Sequence, residues 1–327
     1  MKIAVVGVSA IAEGLVEFLN SLEIEVKGFP DQTKVTKGDL EFTDWVIEAT
    51  GYAKHRKQAV LQALNAKRRP GSILSTDESI VPRSELIENM PFDEEFYITH
   101  FFLPVKKAPL MELVVPGSVD SDVSKKLHAF CADRLGRTVL VSPDLPGFIA
   151  NRIGLYAMAR GVQLALALHL DVDEADKAAI DVLGLPRSGV FGLVDLIGLK
   201  ASADLVDDLC LRLPNDDAFQ QCNFKSDPAI QAILALSERE PGSLKFYRRK
   251  AKDAPREILD VRTFEYRGER PGQPGRGAVA SYGKSLAADV STYASNFAKD
   301  SKLLPENVSK ALLTGYGWSR ELKVLSV

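Results

Sequence analysis

Two residues twelve positions apart, His100 and Glu112, have the types and spacing for proton chemistry. They lie in HFFLPVKKAPLMELVV, His100 to Val115, where two apolar runs flank a link rich in proline and lysine. Histidine exchanges a proton near neutral pH. A carboxylate on its far ring nitrogen fixes the tautomer and stabilises the imidazolium. Such a pair makes a general base for a hydroxyl proton. The same residues in isolation also describe two ordinary strands, one with a core histidine and the other with an unrelated glutamate. The surrounding sequence has to decide.

A second constellation sits at the N-terminus. KIAVVGV (Lys2 to Val8) is a continuous apolar run, as a strand buried on both faces requires. A tight turn and a helical pattern follow, which is where a dinucleotide-binding fold carries its glycine fingerprint. The turn is Gly7-Val-Ser9-Ala-Ile-Ala12-Glu-Gly14. Its first glycine is Gly7, the second is replaced by Ser9 and the third by Ala12. A pyrophosphate on the helix N-terminus and a nucleotide-like fold that no longer binds tightly are both consistent with this turn. Ser9 either donates its hydroxyl to a phosphate or crowds the approach. Asp31, just beyond the second strand, is the candidate ribose-binding carboxylate.

The elements that must position these residues alternate at first. EIEVKGF, DWVIEAT, GSILSTD, FYITHFF, MELVV and TVLVSPD have strand character, with helices over Ala10–Leu22, Lys54–Lys67 and Ser121–Leu135, the last capped by Ser121 or Asp122. This alternation predicts an α/β class: a Rossmann-like, doubly wound parallel sheet. The pattern changes at Asp144-Leu-Pro-Gly-Phe-Ile-Ala-Asn-Arg152. From there nearly all segments have helical spacing, interrupted by a Gly-, Pro- and charge-rich linker, Lys252 to Gly277, before a last helical lobe from Ala278 to Leu325. The expected domains are a dinucleotide-binding domain over 1–145, a helical domain over 146–255, and a linker with a partial second helical repeat over 256–327. Asp171–Gly192 and Lys302–Leu322 are the matching repeat segments, each an acidic start, an apolar-spaced helix and a glycine-rich turn.

Composition restricts the function classes. The chain is 46% hydrophobic and 26% charged with a net charge of −3, which argues against nucleic acid as a partner. The basic runs KRR (Lys67 to Arg69) and YRRKAK (Tyr247 to Lys252) are expected on solvated surface. Three dispersed cysteines, Cys131, Cys210 and Cys222, imply neither a metal site nor a disulfide framework. No apolar run is long enough to span a bilayer. With a strand pattern at the N-terminus and cysteines suited to a reducing compartment, the expectation is a cytoplasmic protein without membrane or nucleic-acid partners.

Several ordered motifs resemble one family, the L-3-hydroxyacyl-CoA dehydrogenases, including the dehydrogenase portion of bacterial fatty-acid oxidation proteins. They are VIEA (Val46 to Ala49), HFFLPV, MELVV, DLPGFIANR and GLPRSGVFGLVDLIGL. The resemblance covers about residues 1–250 and the rest more faintly. It implies NAD as cofactor, a 3-hydroxyacyl-CoA or related small molecule as substrate, and association of copies through the helical lobes as a homo-oligomer. It implies that His100 is the general base, Glu112 its partner, and Asn151 the amide that helps place substrate, although Asn151 also suits a helix cap. Lys57 falls where the family has a lysine near the nicotinamide-side ribose, although a solvated helix lysine fits the same pattern.

The departures bear on function. The family's substrate-contacting serine corresponds to Glu78, with Ser79 beside it, and the asparagine of its HFFN motif is Leu103. Between the second strand and VIEA the family carries a helical hairpin that grips CoA, whereas here only Pro30 to Asp44 remain. The altered glycine loop and Glu78 leave two other functions open. One is a non-redox lyase or hydratase that uses the same His–Glu pair. The other is a non-catalytic homologue that acts as an assembly subunit.

Overall fold

The computed structural model describes the chain except residues 52, 89, 91, 93–94, 240–243, 252, 270–276 and 325–327. The chain divides into two compact units, Met1–Ile149 and Ala150–Val327.

The first unit runs β1 (Ile3–Val6), α1 (Ala10–Ser21), β2 (Val26–Phe29), a 3-10 turn (Gln32–Lys34), α2 (Lys37–Leu40), β3 (Trp45–Glu48), α3 (Lys54–Lys67), β4 (Ile73–Thr76), α4 (Arg83–Leu86), β5 (Phe96–Phe101), β6 (Leu110–Val114), α5 (Asp122–Ala129) and β7 (Thr138–Val141). The strands form one sheet in the order β2-β1-β3-β4-β5-β6-β7. This is the expected Rossmann-like architecture. All neighbours pair in parallel except β5 and β6, which are antiparallel. The exception follows from chain length: the eight-residue link from Phe102 to Pro109 is too short for a parallel crossover, which needs a dozen residues or more.

The apolar strand runs are explained by two cores, one on each face. Alternate residues of β1 divide between them, Ile3 and Val5 with Leu15, Leu19, Trp45 and Met111, Ala4 and Val6 with Leu40, Val46, Leu61 and Leu74. A strand whose successive side chains point to opposite faces must then be apolar throughout. Gly7 ends β1 at φ +148°, and a Cβ there would overlap the Ala49 backbone, so only glycine permits the close approach of the β1 and β3 ends.

The second unit is mainly helical: α6 (Ala150–Ala167), α7 (Val172–Leu183), α8 (Phe191–Ile197), α9 (Leu199–Arg212), α10 (Pro228–Arg239), then α11 (Gly277–Asp300) and α12 (Pro305–Gly315). α11 packs along α6 and α7, and α12 against α6 and α11. Arg152 fastens this core, pairing with Asp217 at 2.5 Å and donating to the Tyr293 hydroxyl. The two repeat segments meet: Ser319 donates from its backbone N–H and its hydroxyl to the Gly184 carbonyl, at 2.7 and 3.1 Å.

Two local expectations need correction. The segment expected as linker contains β9 (Glu257–Leu259) and β10 (Tyr266–Gly268), which join β8 (Tyr247–Arg248), just before it, in a small antiparallel sheet. Its basic residues have partners: Arg248 lies 3.3 Å from the Tyr266 ring centroid and pairs with Glu257 at 2.9 Å. Part of that linker, Lys252 and 270–276, lies outside the described residues, as does Leu325 at the end of the last lobe. In the KRR run, Arg68 is buried rather than solvated, bound to Glu95 and the Ser72 carbonyl. Composition does not reveal such pairing because the partners are distant in sequence. Among the described residues no helix is long and apolar enough to cross a membrane, and no group of three or more candidate ligand side chains is arranged to hold a metal ion.

Candidate active site

The β5–β6 hairpin sets the central pair. His100 and Glu112 are directly opposed in its register, so their side chains share one face. His100 Nδ1 lies 3.0 Å from Glu112 Oε2. Glu112 is fully buried, and its other oxygen accepts from Ser142 Oγ at 3.0 Å and from the Ile149 backbone N–H at 2.8 Å. These bonds come from the end of β7 and from the PGFI turn that follows it. The imidazole packs against Phe102 and Phe148, with ring centroids 4.3 and 5.9 Å away. A carboxylate held in this way cannot rotate off the imidazole. It fixes Nδ1 as the nitrogen facing the protein and directs proton exchange to Nε2.

A second ionic cluster lies where β3 and β4 end. Lys57, from α3, is 2% exposed and is 3.1 Å from Glu48 Oε2 and 3.3 Å from Glu78 Oε2. It also donates to Thr76 Oγ1 at 3.2 Å. Burial pushes the Lys57 ammonium down, but Glu78 and Glu48 outweigh it and hold the ammonium above the usual lysine range. The alternative of a solvated helix lysine at position 57 is therefore overturned. Burial pushes Glu78 up, but Lys57 and the backbone N–H groups of Ile80, Ser79 and Val81 hold its carboxyl below the usual range. Those three amides donate to Glu78 Oε1 at 3.0, 2.9 and 3.3 Å. Glu48 accepts from the Thr50 N–H at 2.7 Å and from the hydroxyls of Thr50 and Thr76. Both carboxylates are thus tied to named partners inside the protein.

Asp77, between these groups, had not been singled out from the sequence. Its Oδ1 accepts from the Phe101 N–H, next to His100, at 2.8 Å. Burial pushes its carboxyl up to about 6, against the opposing pull of the imidazole, the Phe101 N–H and Lys57. Ser142 and the Ile149 amide were also missed. Nothing local marks them, since their role depends on β7 lying beside β6.

At the N-terminal turn, Ser9 is the N-cap of α1. Its hydroxyl accepts from the Ala12 N–H at 3.1 Å and donates to the Ala49 carbonyl at 2.7 Å. Ala12 is buried in the helix–strand contact. The amides of Ala10 and Ile11, at the first two helical positions, have no intrahelical acceptor by geometry. With the positive end of α1 beside Gly7 at the end of a central strand, the residues fit a dinucleotide pyrophosphate. The Ser9 hydroxyl hydrogen is directed to Ala49. Asp31 lies beyond β2 as the cap of the 3-10 turn, its Oδ1 accepting from the Thr33 hydroxyl and N–H at 2.7 and 2.9 Å, which lower its carboxyl from the ordinary value.

Asn151 belongs to the second unit, in the first turn of α6, where its Oδ1 accepts from the Tyr316 hydroxyl at 2.9 Å. His100, Glu112, Glu78, Ser79, Lys57, Gly7, Ser9, Ala12 and Asp31 all belong to the first unit.

Comparison with known proteins follows the same division. Residues 31–145 match the model of the 3-hydroxyacyl-CoA dehydrogenase NAD binding domain, and residues 147–229 match that of the 3-hydroxyacyl-CoA dehydrogenase C-terminal domain. A Rickettsia felis protein assigned by name as a fatty acid oxidation complex trifunctional enzyme is 30% identical over 253 residues, 73% of this chain and 35% of its own length. A Bacillus subtilis protein, assigned by name as a 3-hydroxyacyl-CoA dehydrogenase, is 30% identical over 204 residues, 59% of this chain and 26% of its own length. The chain thus spans about a third or less of these curated relatives. Among solved structures, the 3-hydroxybutyryl-CoA dehydrogenase of Escherichia coli superimposes with a TM-score of 0.70 at 14% identity, covering 97% of this chain and 89% of that one. At that identity the likeness concerns the fold.

Proposed function

This chain belongs to the 3-hydroxyacyl-CoA dehydrogenase family, its first unit being that family's NAD-binding domain, and from that premise we propose that it oxidises a 3-hydroxyacyl-CoA, or a related 3-hydroxy acid, to the 3-keto compound. The observation that carries this reading is the buried pair: His100 Nδ1 is bound to a Glu112 carboxylate whose second oxygen is itself held twice.

The residues divide the work as follows. Bound NAD supplies the hydride acceptor. His100 Nε2 takes the hydroxyl proton, and Glu112 keeps the ring in the required tautomer and stabilises the imidazolium. Phe102 and Phe148 shield the ring from water. The α1 N-terminus beside Gly7, capped by Ser9 and packed through Ala12, holds the pyrophosphate through its backbone amides, and Asp31 is the ribose candidate. Asn151 orients the substrate carbonyl, and Ser79 is the hydroxyl offered to substrate at the end of β4. Glu78, paired with Lys57, accepts from the Ser79 backbone N–H and so holds that residue in place. The alternative of non-redox chemistry drew on the altered glycine loop and on Glu78, and the Glu78 carboxylate is bound to Lys57 and three amides. The β2–β3 link, with only a 3-10 turn and α2, supports a substrate grip lighter than a CoA-clasping hairpin. Self-association through the helical unit and a place in fatty-acid metabolism belong to this proposal too.

The test is NADH oxidation followed at 340 nm with acetoacetyl-CoA, and with free acetoacetate in a parallel assay. Turnover with either is the expected result, and the ratio between them measures how much of the CoA is recognised. No turnover with either, together with no NADH fluorescence enhancement on binding, would sink the dehydrogenase reading.

A further inference from the structure

We infer that Tyr316, from the end of the last helix, is a positioning residue that sets which end of the Asn151 carboxamide faces substrate. The inference rests on the proposed role of Asn151. The two residues are 165 positions apart, yet the Tyr316 hydroxyl donates to Asn151 Oδ1 at 2.9 Å. A carboxamide has an accepting and a donating end of nearly the same shape. A phenol, whose oxygen lone pair is delocalised into the ring, donates a hydrogen bond better than it accepts one. A phenol hydroxyl at Oδ1 therefore holds the amide in one of its two orientations, and Nδ2 becomes the end that donates. The carbonyl oxygens of a 3-ketoacyl or 3-hydroxyacyl compound are acceptors. They are attracted by Nδ2 and repelled by Oδ1.

The placement of the phenol ring is itself built into the fold. Gly154 lies one helical turn after Asn151 on α6, and a Cβ there would overlap ring atoms of Tyr316. The missing side chain creates the slot that the ring fills. The segment is anchored on both sides of the ring. The Tyr316 N–H donates to the Leu312 carbonyl at 3.1 Å, closing α12. Three residues on, Ser319 binds the Gly184 carbonyl through both its amide and its hydroxyl, and Trp318 between them is buried. The segment that closes α12 thereby delivers one hydroxyl to one amide of α6.

Acetoacetyl-CoA reduction by NADH is measured for the parent, Tyr316→Phe, Asn151→Ala and the double variant, with thermal melts on the same preparations. Phe keeps the ring in its slot and removes only the hydroxyl, so Tyr316→Phe should melt close to the parent. Its kcat should fall about five- to tenfold, the equivalent of one hydrogen bond, with a smaller change in KM. In the Asn151→Ala background the same change should have no effect. Gly154→Ala, which displaces the ring, should reproduce the loss of kcat in the parent background and not in the Asn151→Ala background. If Asn151→Ala is impaired while Tyr316→Phe behaves as the parent, or if the two losses multiply, the assignment of Tyr316 is overturned and the role of Asn151 stands. If Asn151→Ala behaves as the parent, the role of Asn151 falls and the assignment falls with it.

Discussion

Two buried ionic groups stand at the ends of neighbouring strands in the first unit, and they are built differently. In the Lys57–Glu48–Glu78 cluster every charge meets a charge or a backbone amide, and Lys57 and Glu48 are almost completely covered. In the His100–Glu112 pair the carboxylate is fully tied, but the imidazole is held by one nitrogen and bounded on its faces by aromatic rings. A charge network with all its bonds made is rigid and suited to hold elements in place. A base needs one fixed end and one that can exchange a proton. Under the proposed function the first group is a support and the second a reaction centre, although both pair glutamate with a basic residue.

The comparison breaks if the two groups respond alike to substitution. The largest expected effect is on turnover at His100. His100→Gln, whose amide still donates to Glu112, should lower kcat by roughly 10²–10⁴-fold with a melting temperature close to the parent's. An equal loss of stability and activity would make the pair a support like its neighbour.

Lys57→Met should do the reverse. It leaves Glu48 and Glu78 buried without their cation, at a cost of about 3–5 kcal/mol, or a fall of roughly 10 °C in a melt. The pH dependence has a definite sign. Lys57 holds the Glu78 carboxyl below its ordinary value, so the stability from this pairing is present above that ordinary value and is lost as pH falls through the lower folded one. The variant should therefore lie furthest below the parent at pH 7–8 and approach it in acid. Melts at pH 4, 6 and 8 would show a constant gap if the pairing were not electrostatic.

A smaller effect sharpens the boundary between the two groups. Asp77 is pushed up to about 6, above its ordinary carboxylate value. Holding it ionised costs stability at neutral pH, and the cost disappears as pH falls below that ordinary value, where both folded and unfolded chains are protonated. Asp77→Asn, which can still accept from the Phe101 N–H, should raise the melting temperature by roughly 2–5 °C at pH 7.5 and leave it unchanged near pH 3.5. A lower melting temperature at pH 7.5 would mean that the charge is needed to hold the β4 end.

The smallest effect is expected at the glycine turn. Ser9→Gly gives up the hydroxyl bonds to Ala12 and Ala49 but opens space at the phosphate approach, and glycine is a tolerable N-cap. NAD affinity, measured by fluorescence titration, should rise by about threefold or less, the equivalent of under ~1 kcal/mol. A loss of affinity would make Ser9 a phosphate-binding residue.

The strands, their alternation with helices, and the change to an all-helical pattern near Pro146 were legible because burial on both faces forces continuous apolar runs and amphipathic helices force a 3.6-residue period. The His–Glu pair was legible only through the family motifs around it; the antiparallel register that sets the two residues opposite each other was not. What the sequence did not carry was the environment of individual charges. In the helix KHRKQAVLQALNAK, Lys57 shares the face of Val60, Leu61 and Leu64, but nothing in the helix names the carboxylates it meets. Lys57 became a network member only when α3 settled over the ends of β3 and β4. Ser142 and Ile149 found Glu112 through strand order, and Tyr316 found Asn151 across most of the second unit. Periodicity records how often a residue faces the core. It does not record which distant group faces that residue, and only closing the chain on itself decides that.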